Sequence, residues 1–191
     1  MAQKTHEKIG TAALLAGCGS NDEELSSTQM DEQVLIDEAI EGPAPLATDV
    51  VTAWQQGGFL SGWMGSTEKK PAPFFAQSLS LLDEDNVVPA FSPQSTFDFG
   101  ADAVWEKLPQ PGAAFGLSFI NPSFGDAHLK QVAHFQNLTV LNLEVSSVTD
   151  AGLKELAQLK GLKRLVLTRT DVTDAGVEAL QQALPDCKVI R

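Results

Sequence analysis

The sequence predicts an α/β protein in which three strand-turn-helix units form a short solenoid with a parallel sheet, preceded by a small α+β cap. Equivalent residues recur every 24 positions between Ala114 and Arg191. Within each unit the apolar spacing changes from two residues, typical of a strand, to three, typical of a helix. A fixed interval of this size indicates a solenoid, whose units bury their leucines only by stacking on their neighbours.

The strand and helix positions of the three units align throughout. Three sets of residues are equivalent: Leu117, Leu141 and Leu165 in the strands; Asp126, Asp150 and Asp174 before the helices; and Leu129, Leu153 and Val177 within the helices. The sequence TDAG occupies positions 149–152 and 173–176, where a hydroxyl or carboxylate can accept the free amide hydrogens of a first helical turn. We therefore expect a helix after each TDAG and the start of a fourth strand in residues 187–191.

The pattern LxxLxLxxTxVTDAGLxxL resembles leucine-rich repeats of the short bacterial kind abundant in planctomycetes. Ser146 and Thr170 stand where other subclasses have Asn or Cys. The first unit, residues 114–137, has Pro122 and His128 at the positions of Ser146 and Gly152, as expected of a terminal repeat. The resemblance implies a solenoid in which the residues between the strand leucines face a concave side.

Residues 43–113 contain no repeat and predict the cap. Val50, Val51 and Trp54 suit one face of a helix, and residues 59–64, 87–91 and 96–99 suit short strands. The segments WQQGGFLSGWM and LPQPGAAFGL also resemble the region before the repeats in the same family. We expect six aromatic residues to cover the open end of the first unit: Trp54, Trp63, Phe74, Phe75, Phe91 and Trp105.

The N-terminus has the charge order of a secretory signal: Lys4 and Lys8, a short apolar run, then Cys18 and acidic sequence. Residues 15–18, LAGC, resemble the bacterial lipobox. This resemblance implies that residues 1–17 are a signal peptide, that Cys18 carries a lipid, and that the protein is a lipoprotein of the cell envelope facing the periplasm or exterior. The alternative is a cytoplasmic protein with an unprocessed N-terminus.

The net charge of −12 is concentrated near the N-terminus. Residues 19–68 carry ten acids and neither Lys nor Arg, whereas residues 114–191 carry eight acids and eight bases. Residues 18–42 are therefore expected to be a disordered acidic tether, with room for a short helix at residues 30–40. The lack of a basic patch argues against nucleic-acid binding.

The sequence offers no complete catalytic, cofactor or metal site. Residues 66–69 match S-x-x-K, but the S-D-N and K-T-G motifs that accompany it in penicillin-interacting enzymes are absent. His128 and His134 are six residues apart, a poor helical spacing for shared metal ligation, and are expected at the surface. Cys18 and Cys187 lie far apart, and Cys187 is expected to be a free, partly covered thiol.

What remains is the concave face, formed by the side chains between the strand leucines. The predicted protein-binding residues are Ser118, Ile120, Val140, Asn142, Glu144, Arg164, Val166, Thr168 and Lys188. The sequence thus predicts a lipid-anchored envelope protein that binds an unidentified protein, and the alternative is a structural or accessory subunit without a dedicated ligand. Val189 and Ile190 near the C-terminal end predict weak self-association there.

Overall fold

A computed structural model describes residues 45–191 except 68, 71, 79–81, 83–86 and 101. The described residues belong to one compact unit. The predicted signal peptide, Cys18, the acidic tether and the helix expected at residues 30–40 lie outside this part of the chain. The described chain is an α/β fold with a seven-stranded, mostly parallel sheet that curls into a half-barrel.

The described residues form five helices and seven strands. The helices are α1 (Thr48–Gln56), α2 (Asp102–Trp105), α3 (Asp126–Val132), α4 (Asp150–Leu156) and α5 (Asp174–Ala183). The strands are β1 (Phe59–Gly65), β2 (Phe74–Ala76), β3 (Val88–Pro93), β4 (Phe115–Ser118), β5 (Leu138–Asn142), β6 (Arg164–Val166) and β7 (Lys188–Ile190).

The sheet has the order β2-β1-β3-β4-β5-β6-β7. Strand β1 pairs antiparallel with β2 and β3, and every pair from β3 to β7 is parallel. The N-terminal region therefore continues the sheet of the repeated units, in addition to covering the first of them. One face of the sheet packs against the helices, and we call the opposite face the inner face.

The main core lies between the sheet and the helices. The equivalent leucines Leu117, Leu141 and Leu165 are fully buried in it. At the N-terminal end the indole of Trp54 stacks on Phe91, with ring centroids 4.4 Å apart, and its Nε1 donates to Pro109 O at 3.0 Å. The buried leucine stack is thus closed at this end by aromatic rings.

The six aromatic residues expected in the cap divide among three clusters. Trp54, Phe91 and Trp105 join the main core, as predicted. Phe75 instead packs on the inner face, while Trp63 and Phe74 pack beside Ala76 in a small separate cluster.

The strand expected at residues 96–99 is wrong, because this segment forms turns. The amide of Phe97 donates to Gln94 O at 3.0 Å, and the amide of Gly100 donates to the side chain of Asp98 at 2.9 Å. The rings of Phe97 and Phe99 nevertheless pack in the aromatic core, with centroids 5.1 Å apart. The alternation of apolar residues here marks two inward-facing rings within a loop.

An Asp–Thr bridge joins each repeated unit to the next. Asp126 accepts hydrogen bonds from the amide and hydroxyl of Thr149, at 2.8 and 2.7 Å, and Asp150 accepts the same pair from Thr173, at 2.8 and 2.6 Å. Each threonine hydroxyl also accepts from an amide of the helix it precedes, so the bridge caps that helix.

The glycine of each TDAG sequence makes room for this bridge. A Cβ atom at Gly152 would clash with Oδ1 of Asp126 and would lie 2.8 Å from its Cγ. Gly176 stands in the same relation to the carboxylate of Asp150. The repeated glycine is therefore required by the carboxylate of the preceding unit.

The first unit departs from this pattern because the residues before it do not carry the repeated sequence. His128 replaces the glycine, and its Nδ1 accepts a hydrogen bond from the amide of Gly125 at 2.9 Å. Its ring packs 5.5 Å from Phe99 and 5.2 Å from Phe124, measured between centroids. His128 is therefore half-buried, which corrects the expectation of a surface histidine, whereas His134 is exposed.

The last described unit ends in polar contacts. The guanidinium of Arg191 donates to the carboxylate of Asp174 and, at 2.8 Å, to Val172 O. Arg191 thus binds the aspartate that is equivalent to Asp126 and Asp150. Val189 and Ile190 are half-buried beside it, and self-association through this end stays a prediction.

Candidate functional site

The inner face of the sheet contains the predicted binding residues. Strand pairing places Gly62, Ala90, Gly116, Val140, Arg164 and Lys188 side by side along one row. A second row contains Leu60, Ser92, Ser118, Asn142, Val166 and Ile190. The sequence periodicity assigned the members of both rows in β4 to β7 to one face, and the structure adds those in β1 and β3.

Much of this face is occupied by the chain itself. Met64, Ala90 and Val140 form a buried cluster there, against which Phe75 and Val88 pack. A Cβ atom at Gly116 would lie only 3.1 Å from Met64, so the missing side chain is what lets Met64 approach the sheet. The β1–β2 hairpin thus folds over the inner face.

The segment leading into β2 reaches as far across as β5. Asn142 is 1% exposed, and its Nδ2 donates to Pro73 O at 3.2 Å. Its Oδ1 accepts from the amide of Glu144 at 2.9 Å, so both ends of the amide have partners. Asn142 is therefore a contact within the protein and is closed to an outside partner.

Four of the nine predicted binding residues are buried, which corrects the predicted surface. Ser118, Val140, Asn142 and Val166 are each 1% exposed. Alternation along a strand placed them correctly on the inner face, but it carries no information about which other segment covers that face. The β1–β2 hairpin packs over Val140 and reaches Asn142.

The other five predicted residues keep accessible surface, and we call them the open strip. Ile120 is 50% exposed, Lys188 is exposed, and Glu144, Arg164 and Thr168 are half-buried. Arg164 and Lys188 begin strands β6 and β7, whereas Ile120, Glu144 and Thr168 come after the ends of β4, β5 and β6. The open strip is narrower than the predicted concave surface.

The open strip combines charge with an apolar contact. Arg164 and Lys188 are register partners on β6 and β7, so two cationic groups lie side by side, with the carboxylate of Glu144 contributed from the residues that follow β5. Burial lowers the pKa of Arg164 below its ordinary value, and a guanidinium still stays charged at neutral pH. Together with the exposed Ile120, these groups can form ion pairs, hydrogen bonds and one hydrophobic contact with another molecule.

Residues of the β1–β2 hairpin were not predicted to take part in this site. Met64, Pro73 and Phe75 all contact the inner face. One signal was present in the sequence: the N-terminal half of the inner row contains glycine and alanine, at Gly62, Ala90 and Gly116. A row of such small residues leaves space that another segment can fill.

Cys187 is a free thiol buried behind the last unit, with 4% of its surface exposed. Burial raises its pKa to about 11, although the positive charge of Lys163 opposes the shift. A thiol with this pKa is almost entirely protonated at neutral pH, which does not suit a nucleophile.

Among the described residues, no group of three or more His, Cys, Asp or Glu side chains is arranged to hold a metal ion. Within the same part of the chain, no helix has both the length and the apolar character needed to cross a membrane. No protein-family model matches this sequence, and no curated protein matches it either.

Proposed function

We propose that this chain is a non-catalytic binding protein of the leucine-rich-repeat type whose open strip contacts another protein. The observation that carries the proposal is the open strip itself. Its charged, polar and apolar side chains belong to or follow adjacent strands of one sheet. Fixed spacing on a rigid sheet suits recognition of a partner surface.

The repeat assignment draws support from contacts that recur with the sequence interval. The Asp–Thr bridge occurs at Asp126 and again, 24 residues later, at Asp150. The hydroxyls of Ser146 and Thr170 donate to the carbonyls of Leu143 and Leu167, at 2.6 and 2.7 Å. These are the positions at which other leucine-rich repeats have Asn or Cys.

We further propose that the protein is anchored in the cell envelope through a lipid on Cys18. This proposal rests on the order of charges in residues 1–24 and on the LAGC sequence. Mass spectrometry of the membrane fraction tests it, and we expect a mature chain that begins at a lipid-modified Cys18. An unmodified Met1 in the soluble fraction would contradict the anchor and leave the cytoplasmic alternative.

Binding through the open strip is tested with a charge reversal at Lys188. The exposed Lys188→Glu change should reduce the recovery of crosslinked partners from whole cells, and Arg164→Glu should add to the loss. The matched control is Lys154→Glu, at an exposed lysine on α4. Melting curves of all three variants separate lost binding from lost folding.

A structural or accessory role is the second candidate, and one observation favours it. Four of the nine predicted contact residues are buried under the protein's own chain, which leaves a small surface for a partner. Equal recovery of partners by Lys188→Glu, Arg164→Glu and wild type would favour this role.

A further inference from the structure

A short segment of the chain lies on the inner face in the way a bound peptide would. We call residues 73–76 the strap, and Gly62, Ala90, Val140 and Asn142 the floor. The ring of Phe75 fills the space above Gly62, where an added Cβ atom would lie 2.8 Å from its Cζ. The strap also supplies the carbonyl of Pro73 to the buried amide of Asn142.

The strap lies at one edge of the sheet, where it packs on both faces of its neighbour β1. Strand β2 has three residues, and among the described strands it pairs with β1 alone. Strands β4, β5 and β6 each pair on both sides. An edge strand of this length opens at a lower free-energy cost than the repeated units behind it.

When the strap opens, the floor loses two contacts that a ligand would have to replace. The amide of Asn142 loses a carbonyl acceptor, and a ligand that buries this donor again without an acceptor would bind weakly, because an unsatisfied buried donor is unfavourable. The space above Gly62 and beside Val140 loses an aromatic ring. A ligand that replaces the strap must therefore supply an extended backbone with a free carbonyl and a bulky apolar side chain two residues further on.

We propose that the strap is an internal occupant of a peptide-binding site, and that the floor accepts an extended, aromatic-containing peptide segment of a protein partner when the strap opens. The proposal deepens the proposed function, on which it rests, because it names the chemistry of the partner and the element that competes with it. The open strip then lies beside this site and contacts the flanks of the same segment.

The test uses the full chain with Phe75→Ala, which removes the ring above the floor. The matched control is Phe74→Ala, because Phe74 loses the same atoms but packs in the separate cluster with Ala76. The readout is hydrogen exchange of the Asn142 side-chain amide, followed by NMR. We expect Phe75→Ala to accelerate this exchange at least about tenfold, and Phe74→Ala to change it less than about threefold.

A peptide supplied from outside then tests the site directly. The probe is the synthetic peptide APFFAQS, the sequence of residues 72–78, and its control is APFAAQS, which lacks the second phenylalanine. APFFAQS should restore slow exchange in Phe75→Ala with a Kd of roughly 1 mM or tighter. Wild type should bind it at least about tenfold more weakly, because its own strap competes.

Three outcomes would overturn the proposal. One is equal acceleration by Phe75→Ala and Phe74→Ala, and another is equal binding of the two peptides. The third is loss of amide protection in β5 and β6 together with Asn142 in Phe75→Ala, which would make the strap part of the cooperative core. None of these results depends on partner recovery with Lys188→Glu, so failure of this proposal is distinguishable from failure of the proposed function.

Discussion

Replacing Gly152 with alanine should destabilise the protein, although alanine is normally the better helix former. Gly152 lies in the first turn of α4 and is buried against the preceding unit. An added methyl group would overlap the Asp126 carboxylate, which holds the amide and hydroxyl of Thr149. The carboxylate must therefore move, and both hydrogen bonds of the Asp–Thr bridge are lost or lengthened.

The size of the effect follows from two opposing contributions. Alanine in place of glycine in a helix gains up to about 1 kcal/mol. Hydrogen bonds to a charged group contribute about 1.5–3 kcal/mol each when well buried, and the half-buried position of Asp126 reduces the sum for both bonds to roughly 2–3 kcal/mol. We therefore expect a net loss of about 1–2 kcal/mol, which lowers the melting temperature by roughly 2–8 °C in a chain of this size.

The assay is a double-mutant cycle with Asp126→Ala, measured by urea unfolding. Of the three atoms nearest to the added methyl group, two belong to that carboxylate and the third is the end of the Leu129 side chain, which can rotate. In that background we expect Gly152→Ala to change the free energy of unfolding by less than about 0.5 kcal/mol. The matched control is Gly161→Ala, whose Cβ would lie 3.4 Å from its nearest neighbour, Gln136 O, and should be tolerated in both backgrounds.

An equal cost of Gly152→Ala with and without the Asp126 carboxylate would refute this reasoning. The cost would then come from the packing of Leu129 or from the backbone, and the glycine would have no connection to the Asp–Thr bridge.

Three further predictions concern pH, backbone strain and thiol reactivity. The hydroxyl and then the amide of Thr173 lower the pKa of Asp150 below its ordinary value of 3.8, so its stabilising effect is present above that value and is lost as the pH falls through the lowered pKa. Asp150→Asn should therefore lower the melting temperature at pH 6, and the difference from wild type should shrink as the pH falls below 3.8. Val145 has a φ of 62°, a left-handed conformation that Asn tolerates better, so Val145→Asn should raise the free energy of unfolding by about 1 kcal/mol in urea titrations and Val145→Thr should not. In a Cys18→Ser chain, the Cys187 thiol should react with a disulfide reagent at pH 8 at least about 100-fold more slowly than in urea, and comparable rates would contradict its burial.

The repeated units could be predicted from the sequence because their signals are local. Each TDAG sequence predicted a helix start, and α4 and α5 begin at its aspartate, Asp150 and Asp174. The register of Leu141 with Leu165 likewise follows from the 24-residue interval. Local hydrogen bonding and apolar spacing determine these features, so a single sequence is sufficient to predict them.

The covered part of the inner face could not be predicted in the same way. Strand periodicity places Val140 and Asn142 on one face, but their burial depends on Phe75 and Pro73, more than 60 positions earlier in the chain. Phe97 and Phe99 illustrate the converse, because their alternation suggested a strand where Asp98 forms a turn. In both cases the outcome depends on contacts that the spacing of apolar residues does not contain.

The Asp–Thr bridge also restricts which insertions can add a further repeated unit to this protein. An in-frame duplication of residues 138–161 would bring its own threonine for Asp126 and its own aspartate for the unit that follows. Both new junctions would be chemically identical to the existing ones, and the sheet would widen by about 4.8 Å. A duplication of 23 or 25 residues would leave a carboxylate facing the wrong atom, so changes in length should occur in whole steps of 24.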